Sequence, residues 1–128
     1  MVAPWTHRGG SARFCSAWSW PAASLRPECK LSLASLVDEV AASGAHVILA
    51  THPPIIVDGA FADDPDPVAD AIRDVATGRV LIDFDAAVSR LGVADAAEFY
   101  EDKAHLNEAG QPWLAEVTLQ TLVPLLPS

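Results

Sequence analysis

The segment Asp102–Gly110 holds an acid and an imidazole at a spacing that could support acid–base chemistry. Asp102 and His105 are three residues apart in a loop that precedes a helical pattern. A carboxylate at this spacing can accept the proton on Nδ1 of the imidazole, which leaves Nε2 free to act as a base. A base held in this way activates a serine hydroxyl for acyl transfer. Because D-x-x-H also arises by chance, the surrounding elements have to be considered.

The pattern of apolar residues upstream of this segment alternates between helix and strand. Apolar residues recur at helical spacing over 31–43, and the run His46–Ala50 is typical of a strand covered on both faces. Pro53 and Pro54 end that strand. The apolar residues assigned to one face of the first helix are Leu31, Leu33, Leu36, Val37, Val40 and Ala41.

The same alternation continues through the second half of the chain. It predicts a helix over 68–76, a buried strand over 80–84 and a short helix over 86–91. Asn107 is a suitable N-cap for a last helix, whose first turn Pro112 is expected to loosen. The order helix, strand, helix, strand, helix indicates the α/β class with a short parallel sheet. Two strands are few for such a sheet, so residues 31–128 look like half of a larger domain.

The block D-x-x-H-L-N-x-x-G at Asp102–Gly110 resembles the C-terminal block of SGNH/GDSL-type ester hydrolases. The resemblance extends over roughly residues 31–123, but it is specific only in this block. It implies a partial flavodoxin-like three-layer α/β/α fold, with residues 31–128 as the C-terminal half of the domain. It also implies His105 as general base and Asp102 as its orienting carboxylate in a Ser-His-Asp triad. The implied substrate is a small-molecule or carbohydrate acyl ester, with O-acyl transfer as a close variant and with no cofactor or metal.

The family's nucleophile and oxyanion motifs are not found in this sequence. There is no G-D-S, no G-x-N-D and no G-x-S-x-G, and Gly10-Ser11 comes nearest. Residues 1–30 carry four basic residues against one acid, hold three of the four Trp and show no clear helix or strand period. They are predicted to be an atypical, irregular head. The sequence therefore suggests a truncated chain that carries the acid–base half of an esterase and is inactive alone.

Charge and composition exclude several other classes of protein. The net charge is −9 with a pI near 4.6. Because proteins that bind a phosphate backbone normally carry a basic face, this charge argues against nucleic acid as a partner. No apolar run approaches the ~20 residues of a membrane span. Cys15 and Cys29 are compatible with a disulfide and with two free thiols. They therefore do not show whether the protein lies in an oxidising or a reducing compartment.

Three other interpretations compete with the esterase. A non-catalytic α/β domain could self-associate through exposed strand edges. The run from Gly44 to Pro53 is similar to the strand-plus-His switch of ABC- and RecF-type ATPases, but no phosphate-binding loop accompanies it. A metal site built from His46, His52 and Asp58 is the third interpretation, but His46 starts the strand and His52 follows it, so the two are expected to be too far apart to share one ion. His52 is expected to be a loop residue near the carboxyl edge of the sheet, which in the hydrolase interpretation could line the active-site pocket without doing chemistry. The acids Asp58, Asp63, Asp64 and Asp66 are expected to form a solvated loop.

Overall fold

The computed structural model describes residues 27–64 and 66–127. The helices are α1 (Pro27–Ala42), α2 (Pro67–Val75), α3 (Phe84–Leu91), α4 (Val93–Ala97) and α5 (Gly110–Leu122), and a 3₁₀ turn follows at Val123–Leu125. The strands are β1 (Ile48–Thr51), β2 (Ile56–Val57), β3 (Ala60–Phe61) and β4 (Val80–Asp83). β1 and β4 pair in parallel, from Ile48 opposite Val80 to Thr51 opposite Asp83, whereas β2 and β3 form a small antiparallel hairpin.

The predicted alternation of helices and strands is confirmed, and with it the α/β class and a short parallel sheet. The boundaries need correction at the first helix, because α1 begins at Pro27 and residues 27–30 are therefore helical rather than part of an irregular head. Residues 1–26 lie outside the described residues. The prediction of an irregular head there, and the choice between a disulfide and a free thiol at Cys15, concern residues that the structure does not describe. The β2–β3 hairpin and α4 were not predicted, because both are too short to show a hydrophobic period.

The core lies between β1 and the first two helices. Val37 of α1, Leu49 of β1 and Ala76 after α2 are at most 7% exposed and form one cluster. Leu81 of β4 packs against this cluster. Ile82 points to the opposite face, as alternate strand residues must, and is buried there while α5 packs against β4. β4 is therefore covered on both faces, with Ile82 buried and Leu81 partly buried.

β1 is covered on one face only, so the prediction that both faces are buried is wrong for this strand. Ile48 is 49% exposed and Ala50 is exposed, whereas Leu49 and Thr51 are buried. The physical reason is that α5 packs against β4, and β1 has an unpaired edge in the two-stranded sheet. Of the face assigned to α1, Leu33 and Val37 pack into the core, but Leu31, Leu36 and Val40 remain exposed.

Pro112 lies at the start of the last helix, where the sequence predicts a loose first turn. It is the third residue of α5, within the first turn, where a backbone N–H has no helical acceptor to lose. Within 27–64 and 66–127, no helix has the length and apolar character needed to cross a bilayer.

Candidate active site

Asp102 and His105 are in direct contact. Oδ2 of Asp102 lies 2.8 Å from Nδ1 of His105, as the sequence predicts for an orienting carboxylate. Oδ1 of the same carboxylate accepts hydrogen bonds from the backbone N–H groups of Ala104 and His105, each at 2.8 Å. One carboxylate oxygen of Asp102 therefore binds the backbone of the loop, and the other binds the imidazole. The side chains of His105 and Asp102 are 74% and 54% exposed, so the ring is accessible to a molecule from solution.

The environment of Asp102 favours its charged form. The N–H groups of Ala104 and His105 and the His105 ring lower the pKa of the Asp102 carboxyl to about 2. Asp102 is therefore an anion at neutral pH. An anionic acceptor on Nδ1 stabilises the tautomer that carries its proton there, and it also stabilises the imidazolium that forms when Nε2 takes up a second proton.

Asn107 shapes the start of α5 beside the pair. Its Oδ1 accepts from the N–H groups of Ala109 and Gly110 at 2.9 Å, and its carbonyl accepts from Gln111 N at 3.1 Å. Its Nδ2 donates to the carbonyl of Glu98 at 2.7 Å. Asn107 thus caps the turn that leads into the helix, but α5 itself begins at Gly110 and its N-cap residue is Ala109, two residues later than predicted.

The Asp102–His105 loop is closed by backbone contacts. Tyr100 and Leu106 form an isolated antiparallel bridge, and Glu101 N donates to the carbonyl of His105 at 2.8 Å. The loop is also joined to the segment that follows β1. Ile56 N donates to Lys103 O at 2.8 Å, and the Tyr100 hydroxyl donates to Pro54 O at 2.6 Å. The pair therefore lies at the carboxyl end of the parallel strands.

A charged network that the sequence analysis missed occupies the same end of the sheet. Arg73 of α2 donates to Asp83 from both Nε (2.7 Å) and Nη2 (2.8 Å), and to Asp85 at 2.7 Å. The buried Thr51 hydroxyl donates to Asp83 and accepts from Asp85 N, both at 3.0 Å. The Arg73 guanidinium lowers the pKa of Asp83, and the two carboxylates raise that of Arg73. Only the helical position of Arg73, one turn after Asp70, was visible in the sequence.

A second imidazole–carboxylate contact joins His52 to Asp66. Nε2 of His52 lies 3.1 Å from Oδ2 of Asp66, and its Nδ1 lies 2.9 Å from the carbonyl of Pro53. Asp66 is 6% exposed and is the N-cap of α2, so the prediction of a solvated loop is wrong at this residue. An Asp before a Pro at the start of a helical pattern is the signal that could have found it. Asp66 also borders a cavity of about 380 Å³ together with Asp63, Arg73 and Asp85.

The hydrogen bonds of the His105 ring within the described ranges go to Asp102, and no serine hydroxyl there donates to it. Ser11, the weak candidate for a nucleophile, lies outside the described residues, as do Ser16, Ser19 and Ser24. Among residues 27–64 and 66–127, no group of three His, Cys, Asp or Glu side chains is arranged to hold a metal ion.

Comparison with models of known protein families, with curated proteins and with solved structures finds no match to this chain.

Proposed function

We propose that Asp102 and His105 form the acid–base half of a site that hydrolyses acyl esters by Ser-His-Asp chemistry, in a partial flavodoxin-like α/β/α domain of the SGNH type. The observation that carries the proposal is the 2.8 Å contact between Asp102 Oδ2 and His105 Nδ1. The position of the pair at the carboxyl end of a parallel sheet supports it, because ligands of open α/β sheets bind at this end.

In the proposed reaction, Nε2 of His105 removes the proton of the attacking hydroxyl group. The oxygen of that hydroxyl group forms a bond to the ester carbonyl carbon at the same time. Asp102 stabilises the resulting imidazolium without taking the proton. When the tetrahedral intermediate collapses, the C–O bond to the alcohol breaks and His105 returns the proton to the departing oxygen. A second cycle with water releases the acid, and with another alcohol it transfers the acyl group.

The nucleophilic hydroxyl of this proposal comes from outside the described residues, from the region of Ser11 to Ser24 or from another polypeptide. Without it, His105 can still act as a general base towards water. The rate of ester hydrolysis is then expected to be small, so the test depends on the difference in rate between the wild type and its variants. General-base catalysis contributes about 10²–10⁴-fold to a rate.

The test is the release of p-nitrophenol from p-nitrophenyl acetate and butyrate at pH 7.5 by the full chain. His105→Ala is expected to remove most of the turnover above buffer, and Asp102→Asn to lower it by at least about tenfold. His46→Ala, at an exposed histidine before β1, is the matched control and is expected to leave the rate unchanged. Equal rates in the wild type and His105→Ala would refute the proposal.

A second candidate function is self-association at the open edge of β1. Ile48, Leu36 and Val40 are 49%, 53% and 37% exposed along an apolar groove, and an unpaired strand edge can pair with a second copy of the chain. Ile48→Asp is expected to convert a dimer to a monomer in light scattering coupled to size exclusion. Leu119→Asp, at an equally exposed position on α5, is the control. A wild-type chain that is monomeric at about 100 μM would exclude this function.

A further inference from the structure

The segment after β1 has carbonyl groups but few N–H groups with which to pair. It contains Pro53 and Pro54, and proline has no backbone N–H. Pro54 is buried, and its carbonyl oxygen accepts a hydrogen bond from the Tyr100 hydroxyl at 2.6 Å, across 46 positions of the chain. A buried carbonyl without a donor costs free energy, so a tyrosine at position 100 stabilises this segment in a way that a phenylalanine could not.

Tyr100 also begins the loop that carries the candidate base. Its backbone forms the antiparallel bridge with Leu106. Inside that bridge, Glu101 N donates to the carbonyl of His105 at 2.8 Å. The loop from Tyr100 to Leu106, which contains Asp102 and His105, is therefore closed by its own backbone. What these bonds do not determine is where the closed loop lies against the rest of the fold.

Two contacts join the closed loop to the segment 54–56. At the base of the loop, the Tyr100 hydroxyl bonds the Pro54 carbonyl. At its tip, the carbonyl of Lys103 accepts from Ile56 N at 2.8 Å. The second contact is made between backbone groups, which every residue except proline can supply. The first depends on the side chain at position 100, so it is the one that the residue type decides.

We propose that Tyr100 is a positioning residue for the Asp102–His105 pair, whose loop its hydroxyl group fastens to the end of β1 by bonding the Pro54 carbonyl. The proposal rests on the proposed function only for the chemical use of the pair. Tyr100 acts through the loop, because its hydroxyl bonds a backbone carbonyl and not the imidazole. Burial and the charge of Asp85 raise the pKa of Tyr100 to about 12, so the hydroxyl keeps its proton and remains a donor at neutral pH.

The test compares Tyr100→Phe with the wild type in the full chain, by hydrogen exchange of the Glu101 and His105 amides in NMR at pH 7. The substitution keeps the ring and removes the donor. The protection factors of the two loop amides are expected to fall by about five- to tenfold, as for the loss of one hydrogen bond. Thr118→Val is the matched control, because it removes a hydroxyl that bonds the Leu114 carbonyl at 3.0 Å within α5. It is expected to leave the protection of the loop amides within about twofold of the wild type, since the loop opens without α5.

Unchanged loop protection in Tyr100→Phe would overturn the proposal, and so would an equal loss in Thr118→Val, which would mean that the hydroxyl of Tyr100 only adds to global stability. Where Tyr100→Phe does not fold, the wild type decides. Its Glu101 and Ile56 amides are expected to have protection factors within about threefold of each other, because the loop and the segment separate in one opening. A Glu101 amide that exchanges far faster than that of Ile56 would show that the loop opens while still attached. Since no step measures ester turnover, failure of the esterase proposal leaves this result unaffected.

Discussion

Gly110 passes so close to Phe99 that no side chain fits between them. A Cβ placed on Gly110 would overlap the carbonyl oxygen of Phe99 and would lie 3.1 Å from the Cβ atoms of Phe99 and Leu106. The same carbonyl accepts a hydrogen bond from Asn107 N at 2.9 Å. The last residue of the D-x-x-H-L-N-x-x-G block is therefore a glycine for steric reasons, because α5 starts directly against the turn that precedes the site.

Gly110→Ala is expected to destabilise the fold by about 1–3 kcal/mol, as overpacking of a close contact does. The free energy of unfolding in urea measures the effect. Ala115→Leu enlarges an exposed position on the same helix and is expected to change that free energy by less than about 0.5 kcal/mol. A Gly110→Ala protein as stable as the wild type would show that Phe99 and α5 can separate without cost.

The carboxyl of Asp102 is expected to titrate with a midpoint near pH 2 in carbon-13 NMR, since its pKa is lowered to about 2 by the N–H groups of Ala104 and His105 and by the His105 ring. A folded pKa below the unfolded value of about 3.9 stabilises the loop above about pH 4, and this contribution is lost as the pH falls towards 2.

The backbone donors have the largest effect on Asp102, so His105→Ala is expected to leave the midpoint well below the ordinary value of 3.8. His46→Ala serves as the control for removal of an imidazole elsewhere. An Asp102 midpoint close to 3.8 in the wild type would contradict the loop geometry.

The hydroxyl of Tyr100 is expected to lose its proton at a higher pH than an ordinary tyrosine does. Burial and the negative charge of Asp85 raise its pKa to about 12, and it is the single tyrosine of the chain, so tyrosinate absorbance reports it alone. Because the folded pKa lies above the unfolded value of about 10, stability is expected to fall as the pH rises from about 10 to 12. Asp85→Asn should lower the midpoint and Asp95→Asn, at an exposed acid on α4, should not. A wild-type midpoint near 10 would mean that the ring is solvated.

Arg73→Met is expected to lower the free energy of unfolding at pH 7 by about 2–3 kcal/mol, because it leaves the Asp83 and Asp85 carboxylates without their donor. Arg73 lowers the pKa of Asp83, so that part of the stability is present at neutral pH and is lost on acidification. The variant should therefore show a flatter pH dependence below pH 5.

Arg79→Met removes the exposed ion pair with Asp38 and is the matched control, with an expected loss of at most about 1 kcal/mol. If the two substitutions cost the same in urea denaturation, the network around Arg73 does not stabilise the sheet.

The sequence by itself determined the order of helices α1, α2, α3 and α5 and of strands β1 and β4, and the pairing of Asp102 with His105. Both are local: a hydrophobic period shows within one element, and a D-x-x-H loop brings its two side chains together within four residues. The ability of the Asn107 side chain to cap the turn before α5 was visible for the same reason.

Only the tertiary structure decided which faces are buried and what surrounds the site. The exposure of Ile48 depends on where α5 packs, and the contacts of Arg73 with Asp83 and of Tyr100 with Pro54 join residues 10 and 46 positions apart. The bond from His52 to Asp66 likewise forms only when the end of β1 meets the start of α2. Such contacts follow from packing between elements, and no spacing within a single element encodes them.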